Sequence, residues 1–120
     1  MDFVGIITEY DPFHNGHAAQ LTAVRQAGAQ CIAVCMSAGA VQRGGVPILP
    51  ETVRVQAALA AGADLVVALP APYACTTAEQ FAAAGVSILA AIRWLLERKH
   101  LMRSVCWRLH NCCREQKFRR

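Results

Sequence analysis

Two histidines stand three positions apart near the start of the chain, His14 and His17 in "PFHNGH", with Gly16 between them. Gly16 has no Cβ, so a phosphate can approach the main chain there, and the first amides of a following helix would offer it a partial positive charge. Two imidazoles gathered at that point would stabilise the charge that develops on a phosphoryl group during displacement at phosphorus. That is the chemistry of adenylyl transfer. Histidines near a helix start also serve as caps or surface residues, and a four-residue pattern recurs by chance. The elements around the pair decide between these readings.

Three strand-like runs recur at similar intervals: "FVGIIT" at 3–8, "CIAVCM" at 31–36 and "DLVVAL" at 64–69. Each is continuously apolar rather than alternating, as in strands covered on both faces of a parallel sheet. Ala-rich stretches at 16–28 and 51–62 separate them, and a third follows at 77–91. In the first, Leu21 and Val24 form an apolar face, with Gln20, Arg25 and Gln26 pointing elsewhere. Gly28 and Gly62 are suited to end the first two helices, while Thr76 or Thr77 caps the third and Glu79 favours its first turn. The alternation predicts an α/β fold: a Rossmann-like parallel sheet with flanking helices, joined by right-handed crossovers.

In such sheets ligands bind beyond the carboxyl ends of the strands. The informative loops are therefore 8–16, 37–50 and 70–77. His14 and His17 close the first of them. The second offers Gln42 and Arg43, a pair suited either to a polyphosphate or RNA contact or to solvent. Arg54, early in the second helix, is expected to add charge to the same mouth. Glu9 and Asp11 either orient a histidine or face water.

At 120 residues the chain is one domain in size, and its 55% hydrophobic and 17% charged residues are those of a globular protein. No uninterrupted apolar run approaches the roughly 20 residues of a membrane span, and Asp2 stands where a signal peptide carries positive charge. The expected compartment is the cytoplasm, with no membrane partner. The net charge of +4 is divided unevenly: residues 1–92 carry −3 and residues 93–120 carry +7. The sequence is accordingly read as a nucleotide-binding domain over 1–92, incomplete at its end, and a basic tail over 93–120. Ile92, Leu95, Leu96, Met102, Val105 and Leu109 fall near helical spacing, so the tail reads as a basic amphipathic helix able to touch RNA phosphates. An out-of-frame or truncated end explains the abrupt change of composition as well, and is favoured.

No metal site is expected. Cys31 and Cys35 share one strand, about 13 Å apart, too far for one ion. Both are read as small core residues. In the tail, Cys106, His110, Cys112 and Cys113 match no standard zinc spacing.

The segments "GIITEYDPFHNGH", "MSAGAVQRG", "GADLVVALP" and "YACTTAEQFA" together resemble, in order and spacing, the bacterial tRNA(Met) cytidine acetate ligases over about residues 3–90. These belong to the nucleotidyltransferase superfamily with the His-x-Gly-His signature. The resemblance implies that ATP and acetate form acetyl-adenylate, and that the acetyl group passes to N4 of the wobble cytidine of elongator tRNA(Met). It also implies that ATP, with Mg2+ on its triphosphate, is bound by Ile7, Thr8, Glu9, Tyr10, Asp11, Pro12, Phe13, His14, Asn15, Gly16, His17, Ala18, Ala19 and Gln20. His14 and His17 would be the catalytic pair.

The chain departs from the family's usual residues at Asp11 and Gly39, where Asn is common, at Ala68, where Glu is common, and at Pro50-Glu51, near a usual Lys. Residues 93–120 resemble neither the strand and Gly-containing loop that follow in the family nor its tRNA-binding region. Two alternatives stand beside this reading. One is a transferase joining an adenylyl or cytidylyl group to a small metabolite, and the other is a non-catalytic RNA-binding remnant. The oligomeric state is open.

Overall fold

A computed structural model describes residues 2–42 and 44–98. The elements run β1 (Phe3–Thr8), α1 (Asn15–Gln26), β2 (Cys31–Ser37), α2 (Glu51–Ala60), β3 (Leu65–Leu69), α3 (Ala71–Ala74) and α4 (Ala78–Glu97). The three strands form one parallel sheet in the order β1-β2-β3, with Phe3 opposite Cys31 and Ala33 opposite Leu65. The parallel α/β sheet expected from the apolar runs is the fold observed.

Burial follows from that order. The central strand β2 is buried at every position, and its side chains alternate between two cores. Ile32, Val34 and Met36 join Ile6, Tyr10 and Leu21 on one face, with Val24 and Val55 of α1 and α2 packed against them. Ala33 and Cys35 join Leu69, Ala74 and Leu89 on the other, with Phe3, Ile7, Phe81 and Ile88 alongside. Cys31 and Cys35 are thus buried strand residues, and burial pushes the Cys35 thiol pKa up. Where α4 crosses β1, a Cβ on Gly85 would fall 2.8 Å from Ile7 Cγ2, and one on Gly5 would fall 2.8 Å from Leu89 Cδ1. The two glycines let helix and strand approach this closely.

The element ends show where local reading falls short. Gly28 (φ 104°) and Gly62 (φ 111°) do end their helices in the left-handed region. The third strand begins at Leu65 rather than at Asp64, although the Asp64 amide still donates to the Ile32 carbonyl at 2.9 Å, and the Asp64 carboxylate fastens its surroundings. Its Oδ2 accepts from the Ile32 amide at 2.7 Å and from the Arg25 guanidinium at 2.6 Å. Arg25 also donates to the Ala29, Gln30 and Gly62 carbonyls, clasping the amino ends of β2 and β3. The 70–77 loop contains the short helix α3, entered through Pro70.

α4 is longer than expected, at 20 residues, and by length and composition alone it could cross a membrane. Counting uninterrupted apolar runs passes over it, since Glu79, Gln80 and Ser87 break the run. Its Phe81, Ala84, Ile88 and Leu89 are accounted for by the second core.

The chain divides into two compact units after Leu89. In the described part of the second, Arg93 Nε donates to Glu97 at 2.8 Å, and the Arg98 guanidinium lies 4.1 Å over the Trp94 ring. Met102, Val105 and Leu109, and with them the cysteines and the two histidines of the tail, lie outside the described residues.

Candidate functional site

At the carboxyl end of β1 the chain must turn sharply to enter α1, and Tyr10 makes the turn. Its φ of 49° lies in the left-handed region, unfavourable for a residue with a Cβ. Packing compensates. The Tyr10 ring is buried, with its centroid 4.8 Å from that of Phe13, edge to face, and 4.7 Å from that of His17. Phe13 in turn lies 5.6 Å from His17. The two aromatics brace one side of the His17 imidazole, and burial raises the Tyr10 pKa. The intervening Asp11–Pro12 peptide is cis.

The His-x-Gly-His motif proves to be a helix cap. His14 is the N-cap residue of α1, with extended backbone (φ −139°, ψ 174°). Its Nδ1 accepts from the Gly16 amide at 3.1 Å, while Nδ1 of His17 accepts from the His14 amide at 3.3 Å. This is a reciprocal capping box with imidazoles in the places that Ser and Glu usually take. The rings stack with centroids 3.7 Å apart and planes 24° apart. An acceptor Nδ1 must carry its lone pair, so the ring proton sits on Nε2 of each neutral imidazole. Each histidine therefore holds an N–H donor in reserve for a ligand. Burial, and then the neighbouring His14, lower the His17 pKa below the usual 6.5.

Two expectations about this point change. Three amides of the first turn are not free: Gly16 donates to His14 Nδ1, and the His17 and Ala18 amides donate to the His14 carbonyl at 2.9 and 3.2 Å. An anion binding to the Gly16 amide has to displace the His14 ring. The role of Gly16 shifts accordingly, because a Cβ there would stand 2.9 Å from His14 Cε1 and 3.1 Å from its Nδ1. The glycine makes room for the imidazole.

The loop acids orient neither histidine. Glu9 Oε1 accepts from the Gln42 amide in a short hydrogen bond, and Asp11 Oδ1 accepts from the Ile48 and Leu49 amides at 2.7 and 3.3 Å. Both fasten the first loop to the second. Neither merely faces water. Among the described residues no three His, Cys, Asp or Glu side chains gather to hold a metal ion.

Arg54 departs furthest from expectation. It is fully buried, and its guanidinium donates to four carbonyls instead of standing open to a ligand. The acceptors are Leu49 (3.1 Å from Nε), Glu9 and Ser37 (2.7 and 2.9 Å from Nη1) and Ala38 (2.5 Å from Nη2). A side chain with five fixed donors is suited to such a hub. Local sequence could not reveal it, since the partners lie up to 45 positions away.

The other expected residues divide. Ile7 packs its side chain into the second core and Thr8 ends β1. Pro12, Asn15 and Gly16 are exposed at the turn, as are Ala19 and Gln20 on α1, while Ala18 is half-buried there. Gln42 meets the site loop through its amide, and Arg43 lies outside the described residues. Tyr10 and Phe13 gain a specific role as braces. Their aromatic character between strand and histidines was the available signal.

Comparison with known proteins bears on this geometry. The family described as HIGH Nucleotidyl Transferase matches residues 1–96. A tRNA(Met) cytidine acetate ligase of Anoxybacillus flavithermus is 48% identical over 93 residues, which are 77% of this chain and 23% of the relative. One of Halalkalibacterium halodurans is 50% identical over 93 residues, 77% of this chain and 22% of the relative. Thermotoga maritima TmcAL, crystallised with alpha-thio ATP, superposes with a TM-score of 0.72 at 36% identity, covering 76% of this chain and 22% of that one. Its apo form gives a TM-score of 0.65 at 36% identity, over 68% of this chain and 20% of that one. The chain thus spans a quarter or less of the length of the curated relatives it matches.

Proposed function

Because the chain belongs to the HIGH nucleotidyl transferase family, we propose that the turn from β1 into α1 binds the phosphates of ATP for an acetate-activating step. The observation that carries this reading is the pair of imidazoles capping each other at the carboxyl end of β1. The two Nε2–H groups, left over by the cap, form a donor set suited to phosphate oxygens, which accept only. ATP supplies the activated phosphoryl group. An acetate oxygen bonds to the α-phosphorus, the bond from that phosphorus to the β-bridging oxygen breaks, and pyrophosphate leaves with its electron pair. Charge grows on the non-bridging oxygens as the centre becomes crowded. His14 and His17, fixed by their Nδ1 acceptors, are the groups that would donate to those oxygens.

Magnesium accompanies the triphosphate in this reading and is held by it. The nearby carboxylates of Glu9 and Asp11 are already committed to main-chain amides. In line with the names of the relatives, the acetyl group would pass from acetyl-adenylate to elongator tRNA(Met), in the cytoplasm. Residues 1–92 would be the nucleotide-binding part.

Two assays on the purified chain test the proposal. Equilibrium titration with ATP and magnesium should show saturable binding that His17→Ala weakens about tenfold, the loss of one hydrogen bond to a charged group. Labelled pyrophosphate should exchange into ATP only when acetate is present. Binding without exchange would refute the acetate step for this chain. Exchange that requires a phosphorylated acceptor and ignores acetate would favour a metabolite transferase instead.

A further inference from the structure

Arg54 has a buried guanidinium, and no carboxylate among the described residues lies within ion-pair distance of it. Its charge persists, since a guanidinium does not lose its proton in proteins. Four carbonyl acceptors satisfy the hydrogen-bonding demand of burial, but carbonyl dipoles do not cancel a full charge. The acceptors are also not scattered. Glu9 follows β1 and begins the segment leading to His14, Ser37 ends β2 and Ala38 follows it, and Leu49 precedes α2. All four belong to the loops at the carboxyl ends of the strands, where a parallel sheet receives its ligand. Glu9 and Asp11 cross-link the same two loops at Gln42, Ile48 and Leu49.

We infer that Arg54 is a positioning residue of the anion site: its guanidinium ties the 8–14 and 37–49 segments together, and its unneutralised charge keeps their mouth attractive to polyphosphate. The inference rests on the nucleotide reading for its ligand, though not for the loop tie. Arg54 need not touch the ligand to act. A charge in a poorly screened interior is felt several ångströms away, whereas one on a solvated surface is not. Lysine at this position would keep the charge but lose the fork that reaches several carbonyls at once.

The test uses the full chain with Arg54→Met and Arg54→Lys, and three probes: ATP, inorganic tripolyphosphate and adenosine. Arg54→Met should weaken ATP and tripolyphosphate about tenfold or more and adenosine hardly at all, because only the phosphates sense the charge. Arg54→Lys should recover most of the tripolyphosphate affinity. In both variants the Gln42, Ile48 and Leu49 amides should exchange with deuterium faster than in the parent chain, while Ile32 and Val34 in β2 keep their protection. Equal losses for adenosine and tripolyphosphate, or no loss for either, would overturn the electrostatic role. Unchanged exchange at the three loop amides would overturn the loop tie. If the parent chain binds none of the probes, the nucleotide reading and the electrostatic role fall together, and exchange alone then decides the tie. Should Arg54→Met not fold, Arg54→Lys decides through the same amides.

Discussion

The imidazoles of His14 and His17 lie face to face, 3.7 Å between centroids, and Nδ1 of His17 accepts the amide of His14. A proton on His17 Nδ1 would cost the α1 cap one of its hydrogen bonds, so the cap favours the neutral His17 imidazole.

The pH dependence follows with a definite sign. The His17 pKa is lowered, first by burial and then by His14, so the unfolded chain binds more protons than the folded one just below pH 6.5. Stability from this residue is complete above the unfolded value and is lost as the pH falls from there through the folded pKa. Proton NMR titration of the His17 ring should place its midpoint below 6.5, and His14→Gln should move it upward. A midpoint at or above 6.5 that ignores His14→Gln would contradict the coupling.

Gly16→Ala should separate stability from binding. A Cβ would fall 2.9 Å from His14 Cε1, so the ring has to move off its partner, while alanine is the better helix former. The expected outcome is a melting temperature within a few degrees of the parent, corresponding to about 1 kcal/mol or less, with ATP affinity reduced about tenfold. Unaltered affinity would mean that the position of His14 does not matter to the ligand.

Asp11 stands where the resembled family commonly has Asn, and the hydrogen bonds explain why either serves. Only Oδ1 is used, accepting from the Ile48 and Leu49 amides, and Asn offers the same acceptor. Asp11→Asn should therefore leave stability nearly unchanged. Asp11→Ala should cost about 1 kcal/mol and loosen the 48–49 segment, which chemical denaturation and amide exchange would show.

Much of the fold was legible because the strands are continuous apolar runs and two helices stop at Gly28 and Gly62, positions whose φ only glycine adopts readily. What the sequence did not show shares one cause. The Asp64 carboxylate is bonded to Arg25 and to the Ile32 amide, and Arg54, expected at the mouth, is buried there on carbonyls of Leu49 and of the remote Glu9, Ser37 and Ala38. Long-range hydrogen bonds leave no local pattern, so the partners of these polar residues could not be read from their neighbours. The histidine pair was legible because its partners are within three positions. Its form was not, since a capping box built from imidazoles falls outside the usual Ser, Thr, Asp and Glu signals.

The central claim is that phosphates of ATP bind where His14 and His17 cap α1. Titrating the isotope-labelled chain with ATP and magnesium, while following the Gly16 amide and both imidazoles by NMR, tests it most directly. The account predicts saturable shifts at all three groups, as phosphate binds the Nε2–H groups and perturbs the Gly16 amide that holds His14, and their loss in His17→Ala. Absence of saturable shifts at millimolar ATP, or shifts confined to residues away from the 8–20 segment, would contradict it.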